Sequence, residues 1–211
     1  VTLSLLFLHG WAFDGSIWDD VISRLGRFRC LVDDRGYFGA PVSALTDGPV
    51  LLVTHSFGTM RALGALPAQC RGLVAINGFD CFGARTDFPG VPPRLIDRML
   101  GRLAGDAEAV VADFRARCGA PPAQGEINRE PLEHDLIAMR DGDARQAGGS
   151  LPILSIQGGA DPIMPPAMRA AVFAGAAQVE RIERTDGGHL LPVTDPDYCA
   201  VMIERFADNL A

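Results

Sequence analysis

Residues 50–60 read VLLVTHSFGTM, and the fold turns on how this stretch is read. Val50, Leu51, Leu52 and Val53 form the short apolar run of a strand buried on both faces. Thr54, His55, Ser56, Phe57 and Gly58 then make a turn, and residues 59–66 read as helix. A serine between a buried strand and a helix, with small residues two positions to either side, is the G-x-S-x-G elbow pattern. The spacing has a steric basis. Such a turn holds the serine in a strained conformation with its oxygen exposed, and backbone passing close by demands small flanking residues. Thr54 stands where the pattern has its first glycine. A plainer role for the same serine is to cap the first amides of the helix.

Upstream, residues 3–8 (LSLLFL) read as a buried strand ending in His9-Gly10-Trp11. Residues 16–25 carry Ile17, Trp18, Val21, Ile22 and Leu25 at helical spacing. Residues 28–32 read as a second strand, followed by the glycine-punctuated loop 33–39. Only residues 40–49 separate that loop from the strand at Val50, so the crossover there is abbreviated. Downstream, residues 72–76 (GLVAI) give a fourth strand. Residues 79–150 break the rhythm with helices at 92–103, from a cap at Asp106 to Cys118, and at 131–140. Strand and helix then alternate again: strand 153–157, helix 165–173, strand 178–183, loop 185–189 and an amphipathic helix at 196–210. The expectation is an α/β fold: a mostly parallel sheet of about six strands with helices on both faces. Residues 1–78 and 151–211 form its core, and 79–150 form an inserted helical lid.

The composition suits one globular domain: 211 residues, 48% hydrophobic and 21% charged. A net charge of −7 disfavours nucleic acid and anionic membranes as partners. The apolar runs fall short of the roughly 20 residues of a membrane span. No basic leader precedes the first strand, and a leader removed before Val1 stays open. Cys30, Cys70, Cys81, Cys118 and Cys199 are odd in number and lack C-x-x-C spacing, which points to reduced thiols and a cytoplasmic location. The histidines and cysteines lack ligand spacing, and no G-x-G-x-x-G follows a strand, so neither a metal nor another cofactor is expected.

Ligands of such sheets sit at the carboxyl ends of the strands, and Ser56, Asp161 and His189 all follow strands there. A serine needs a base to take its proton, and the base needs a carboxylate to hold its orientation. Among the histidines, His55 adjoins the nucleophile and points away from it. His9 braces the loop after the first strand, and His134 is a solvated lid residue. His189, in Gly187-Gly188-His189, is left as the base. Asp186 and Asp195 rival Asp161 as the acid, but lie so near His189 that turn or capping roles fit them better. The amide of Phe57, at a helix N-terminus, suits a developing negative charge. The backbone of Trp11, beside Gly10, is the natural second donor, and its ring has a packing role as the plainer alternative.

Through His9-Gly10-Trp11, Thr54-His55-Ser56-Phe57-Gly58, residues 159–165 (GADPIMP) and Gly188-His189, the chain resembles the α/β-hydrolase superfamily. Residues 9–18 (HGWAFDGSIW), 81–100 (CFGARTDFPGVPPRLIDRML) and 132–145 (LEHDLIAMRDGDAR) are similar to the pimeloyl-[acyl-carrier protein] methyl ester esterases within it. The resemblance implies Ser56 as nucleophile, Asp161 as acid and His189 as base, with oxyanion amides from Trp11 and Phe57. It also implies that Phe114 and Trp11 face a small-molecule ester held under the lid, and that an acyl carrier protein presents it. The reaction implied is methyl ester hydrolysis in biotin synthesis. Ala109 and Asp113 stand where the family presents arginines to its acidic partner, with Arg115 and Arg117 close by. Two alternatives share the triad: a generalist short-chain esterase or thioesterase, and a small-ligand receptor with little turnover.

Overall fold

The computed structural model describes residues 3–44 and 46–210. Six parallel strands form one sheet: β1 (Ser4–Leu8), β2 (Arg29–Asp33), β3 (Val50–His55), β4 (Cys70–Ile76), β5 (Ile153–Gly158) and β6 (Val179–Arg184), in the order β2-β1-β3-β4-β5-β6. β3 and β5 are buried at every position, and β1, β3 and β4 supply Leu5, Phe7, Leu51, Val53, Leu73 and Ala75 at 0% exposure. The continuous apolar runs are the mark of a sheet covered on both faces.

The helices are α1 (Asp19–Ile22), α2 (Gly58–Gly64), α3 (Pro93–Gly105), α4 (Ala107–Arg117), α5 (Arg129–Asp141), α6 (Pro166–Ala171), α7 (Leu191–Thr194) and α8 (Pro196–Asp208). Asp106 caps α4 as expected, its carboxylate accepting the Ala109 amide at 2.9 Å. The helix expected at 16–25 is instead a 3-10 turn over Gly15–Trp18 followed by the four residues of α1. Its apolar residues fall both three apart (Trp18–Val21, Ile22–Leu25) and four apart (Ile17–Val21, Trp18–Ile22, Val21–Leu25), a mixed spacing that does not exclude a 3-10 first turn. α7 was not foreseen: it is a single turn opened by Pro192 directly after His189.

The β2–β3 crossover is abbreviated. In place of a helix, Asp34 and Val42 pair in an antiparallel bridge, with reciprocal amide bonds of 2.8 and 2.9 Å. The sheet face left beside it opens into a groove of about 620 Å³ bordered by Leu6, Leu8, Leu52, Met60 and Ala138.

α3, α4 and α5 lie between β4 and β5 and pack against one another. A buried polar cluster ties α5 to the loop after β2. Asp135, 2% exposed, accepts from Arg35 Nε at 2.6 Å and Nη2 at 2.9 Å, from Tyr37 Oη at 2.6 Å and from His134 Nδ1 at 2.9 Å. Burial alone would raise this carboxyl, but the Arg35, Tyr37 and His134 bonds outweigh it and hold it below the usual carboxylate range. Asp135→Ala leaves the Tyr37 hydroxyl unpaired in the interior. It is expected to cost about 3 kcal/mol, the lower end for a broken buried pair because Arg35 stays part-exposed. Urea unfolding measures this, and a change within about 0.5 kcal/mol would contradict it.

Candidate active site

β3 ends on the elbow. Ser56 has φ 52°, a left-handed conformation that non-glycine residues rarely hold and that costs on the order of 1–3 kcal/mol. Its amide donates to Ile76 O at 3.1 Å, and its carbonyl accepts from Thr59 N at 3.0 Å, so sheet and helix grip the turn from both ends. The glycines explain its tightness. A Cβ on Gly58 would lie 2.5 Å from Leu8 O, and one on Gly10 would lie 2.9 Å from Ser56 Cβ. Thr54 fits in place of the pattern's first glycine because its hydroxyl is satisfied, by Thr59 Oγ1 at 2.7 Å and Val74 O at 3.1 Å. Gly78 makes the room: a Cβ there would fall 2.2 Å from Thr59 Oγ1.

Three strand ends bring Ser56, Asp161 and His189 together, each under 8% exposed. Ser56 Oγ lies 3.0 Å from His189 Nε2, and His189 Nδ1 lies 2.7 Å from Asp161 Oδ2. With Nδ1–H donating to the carboxylate, Nε2 is free to accept from the serine. Asp161 Oδ1 accepts the amides of Ile163 at 2.7 Å and Met164 at 3.2 Å. Burial pushes the Asp161 carboxyl up, but His189 and these donors prevail and hold it below its ordinary value.

Two residues that sequence reasoning missed complete the setting of Asp161. Asn77, buried at the end of β4 with φ 47°, donates to Asp161 Oδ2 at 2.8 Å. Arg169 on α6 donates to Met164 O and Gly159 O, both at 2.9 Å, and so spans the loop that carries Asp161. Asn77 in Asn-Gly reads as an ordinary turn signal, and Arg169 as a surface charge on a short helix. Of the rival carboxylates, Asp195 pairs with Arg184 at 3.0 Å and Asp186 is exposed.

The amides of Trp11 and Phe57 donate to no backbone or side-chain acceptor among the described residues, as groups kept for a ligand would be. The Trp11 ring packs edge-on against Phe114, 4.9 Å between centroids, and its indole donates to Leu132 O at 2.8 Å. Over Ser56 lies a small, partly enclosed cavity of about 30 Å³, walled by Trp11, Phe79, Phe82, Met99, Phe114 and Ile163. It holds about one water and presents an apolar wall. The groove on β1 and β3 is far larger, but the charges bordering it are paired, Arg61 with Asp33 at 2.7 Å and Arg35 with Asp135. Ser56 faces the smaller space.

The other histidines do bracing work. His9 Nε2 accepts the Arg35 amide at 2.9 Å, which leaves Nδ1–H to donate to Gly10 O at 2.9 Å. His134 is largely exposed beside Asp135. His55 is fully buried and donates through Nε2 to His189 O at 2.9 Å. Burial, reinforced by the neighbouring His189, pushes it down to about 3. Among the described residues no group of three His, Cys, Asp or Glu is placed to hold a metal.

No family model matches the sequence. Curated relatives do. A pimeloyl-[acyl-carrier protein] methyl ester esterase from Yersinia pseudotuberculosis is 25% identical over 240 aligned positions, covering 97% of this chain and 93% of its own. One from Pectobacterium atrosepticum is 29% identical over 196 positions, covering 76% of this chain and 77% of its own. In solved structures, an esterase from Exiguobacterium antarcticum superposes with TM-score 0.85 at 15% identity, covering 99% of this chain and 92% of its own. An enol-lactonase from Burkholderia xenovorans does so at 0.78 and 16%, covering 98% and 91%. The chain therefore has the α/β-hydrolase fold and is similar along most of its length to ester hydrolases.

The depressed His55 makes a prediction about acid. An unfolded histidine titrates near 6.5, so between that pH and about 3 the unfolded chain binds a proton that the folded chain refuses. Stability contributed by neutral His55 is complete above the unfolded value and is lost as pH falls through this window. Going from pH 7 to pH 5, the wild type is expected to lose about 2 kcal/mol more than His55→Asn in urea unfolding. Equal losses would contradict the buried neutral state.

Proposed function

We propose that this chain is a serine carboxylesterase in which Ser56 attacks an ester carbonyl, His189 takes its proton and Asp161 holds the imidazole. The chain is a carboxylic ester hydrolase, as are the relatives it matches along most of its length. The observation that carries the assignment of roles is the unbroken run Ser56 Oγ–His189–Asp161 at 3.0 and 2.7 Å, beginning at a left-handed serine. In the first half-reaction Ser56 Oγ bonds to the carbonyl carbon, and the tetrahedral oxyanion accepts from the Trp11 and Phe57 amides. His189 returns the proton to the departing alcohol, leaving an acyl-enzyme. Water, deprotonated by the same imidazole, then releases the acid and regenerates Ser56. We take 1–78 and 151–211 as the core that carries this chemistry, and 79–150 as a lid whose Phe114 faces the acyl group. Five cysteines without a disulfide suit a reducing, cytoplasmic setting.

For the finer substrate, we propose a pimeloyl methyl ester presented on an acyl carrier protein, as in the named relatives. The sequence has Ala109 and Asp113 at the family's docking positions, with Arg115 and Arg117 close by as candidate substitutes. Arg115 is only 8% exposed, with its guanidinium bonded inward, and Arg117 donates to Pro162 O at 2.7 Å. The support comes from α3, where Arg94, Arg98 and Arg102 recur every four residues and are all exposed. Arg94 and Arg98 have no acidic partner among the described residues, whereas Arg102 pairs with Asp113. Such a stripe attracts an acidic protein even though the whole chain is acidic. The small cavity over Ser56 favours a second reading, a generalist esterase for short acyl chains.

Hydrolysis of p-nitrophenyl esters of rising acyl length tests the chemistry. Turnover is expected in the wild type and is expected to fall by at least about a thousandfold in Ser56→Ala. A folded wild type inert at every length would overturn the esterase and leave the receptor role. Arg94→Glu combined with Arg98→Glu is expected to raise KM for a carrier-linked methyl ester roughly tenfold at low salt. It should leave kcat on p-nitrophenyl esters unchanged. An unaltered KM would remove the carrier from the account.

A further inference from the structure

Arg115 is a buried cation whose polar partners among the described residues are carbonyls. Nη1 donates to Ala12 O at 2.9 Å and Nε to Pro121 O at 2.8 Å, and the guanidinium lies 5.0 Å from the Phe13 ring centroid and 5.6 Å from that of Phe38. No carboxylate stands within ion-pair distance among the described residues. Asp14 acts on it only from beyond ion-pair distance, across a groove that both line. Desolvating a guanidinium with no direct ion pair is unfavourable, and an apolar side chain of similar size would fill the space at lower cost.

The bond to Ala12 begins a chain of peptides. Ala12 has φ 58° and is the third residue of the turn Gly10-Trp11-Ala12-Phe13, which is closed by Phe13 N donating to Gly10 O at 3.3 Å. The Phe13 amide belongs to the same peptide plane as the Ala12 carbonyl. The Gly10 carbonyl belongs to the same plane as the Trp11 amide. The order is therefore Arg115 guanidinium, Ala12–Phe13 peptide, Gly10–Trp11 peptide, with the free Trp11 N–H at the far end. Each carbonyl that accepts a bond makes the N–H of its own peptide a stronger donor, and a cation at the head orients the series.

We propose that Arg115 is a positioning residue for the oxyanion hole: it fixes the turn that aims the Trp11 N–H and polarises that donor through two peptide units. The inference rests on the esterase reading above and deepens it. It also links the lid to the chemistry, since Arg115 and its neighbour Phe114 both lie on α4 and Phe114 walls the small cavity over Ser56.

The test compares wild type, Arg115→Met, Arg115→Gln and Arg115→Lys on a p-nitrophenyl ester and against a trifluoromethyl ketone that forms a tetrahedral adduct. Arg115→Met is expected to lose roughly tenfold or more in kcat with KM within about twofold, and to lose affinity for the ketone in the same proportion. Arg115→Gln, which keeps a neutral donor and much of the packing, is the control for folding: it should melt near the wild type and still lose kcat. Arg115→Lys, which keeps the charge, should recover part of the loss. If the wild type turns over and folded Arg115→Gln or Arg115→Met keeps both kcat and ketone affinity, the positioning role is overturned while the esterase stands. A folded wild type without turnover overturns both.

Discussion

The structure depends on one close approach, that of the end of β1 to the turn after β3. Gly10 and Gly58 bring the two backbones together where any Cβ would collide, 2.9 Å from Ser56 Cβ in one case and 2.5 Å from Leu8 O in the other. That contact holds Ser56 in its left-handed conformation and sets the Trp11 loop beside it. The strain is local and the restraint is global. β3 is buried along its whole length between β1 and β4, so the turn cannot relax without disrupting pairings at the centre of the sheet. β4 and β5 then fix where Asn77 and Asp161 emerge, and the loop after β6 delivers His189.

Around that contact the polar groups divide into two sets. One set surrounds Asp161: Asn77, the amides of Ile163 and Met164, and the Arg169 clamp keep its carboxylate ionised in a buried place. The other serves the loop after β1: His9 on Gly10 O, Leu132 O on the Trp11 indole, and Arg115 on Ala12 O. Two members of the second set come from the helices between β4 and β5. Those helices do more than cover the site. They contribute to the shape of the loop that carries the Trp11 amide.

Much of this was legible in the sequence, for identifiable reasons. Buried parallel strands read as unbroken apolar runs, and Ser56, Asp161 and His189 each follow one beside glycine, so the sheet and the meeting of these three could be read from spacing. Helix limits were less legible. Ser16 to Leu25 carries a mixed three- and four-residue apolar spacing that does not fix where a 3-10 turn gives way to α-helix. The supporting residues were hidden for a different reason: Asn77, Arg115 and Arg169 act through individual side-chain hydrogen bonds that leave no periodic trace. Arg115 in particular sits two positions from exposed Arg117, and nothing local says that one guanidinium turns inward. Arg94 and Arg98, exposed on α3 without an acidic partner among the described residues, form a stripe through helical spacing alone.

The central claim is that Ser56 is a nucleophile activated by His189. Treatment with a p-nitrophenyl alkylphosphonate, read by intact mass and peptide mapping, tests it without reference to the natural substrate. One phosphonyl group per chain, located on Ser56 and absent from Ser56→Ala, is the result this account predicts. A folded protein that takes up no label, or takes it up on another residue, would contradict it.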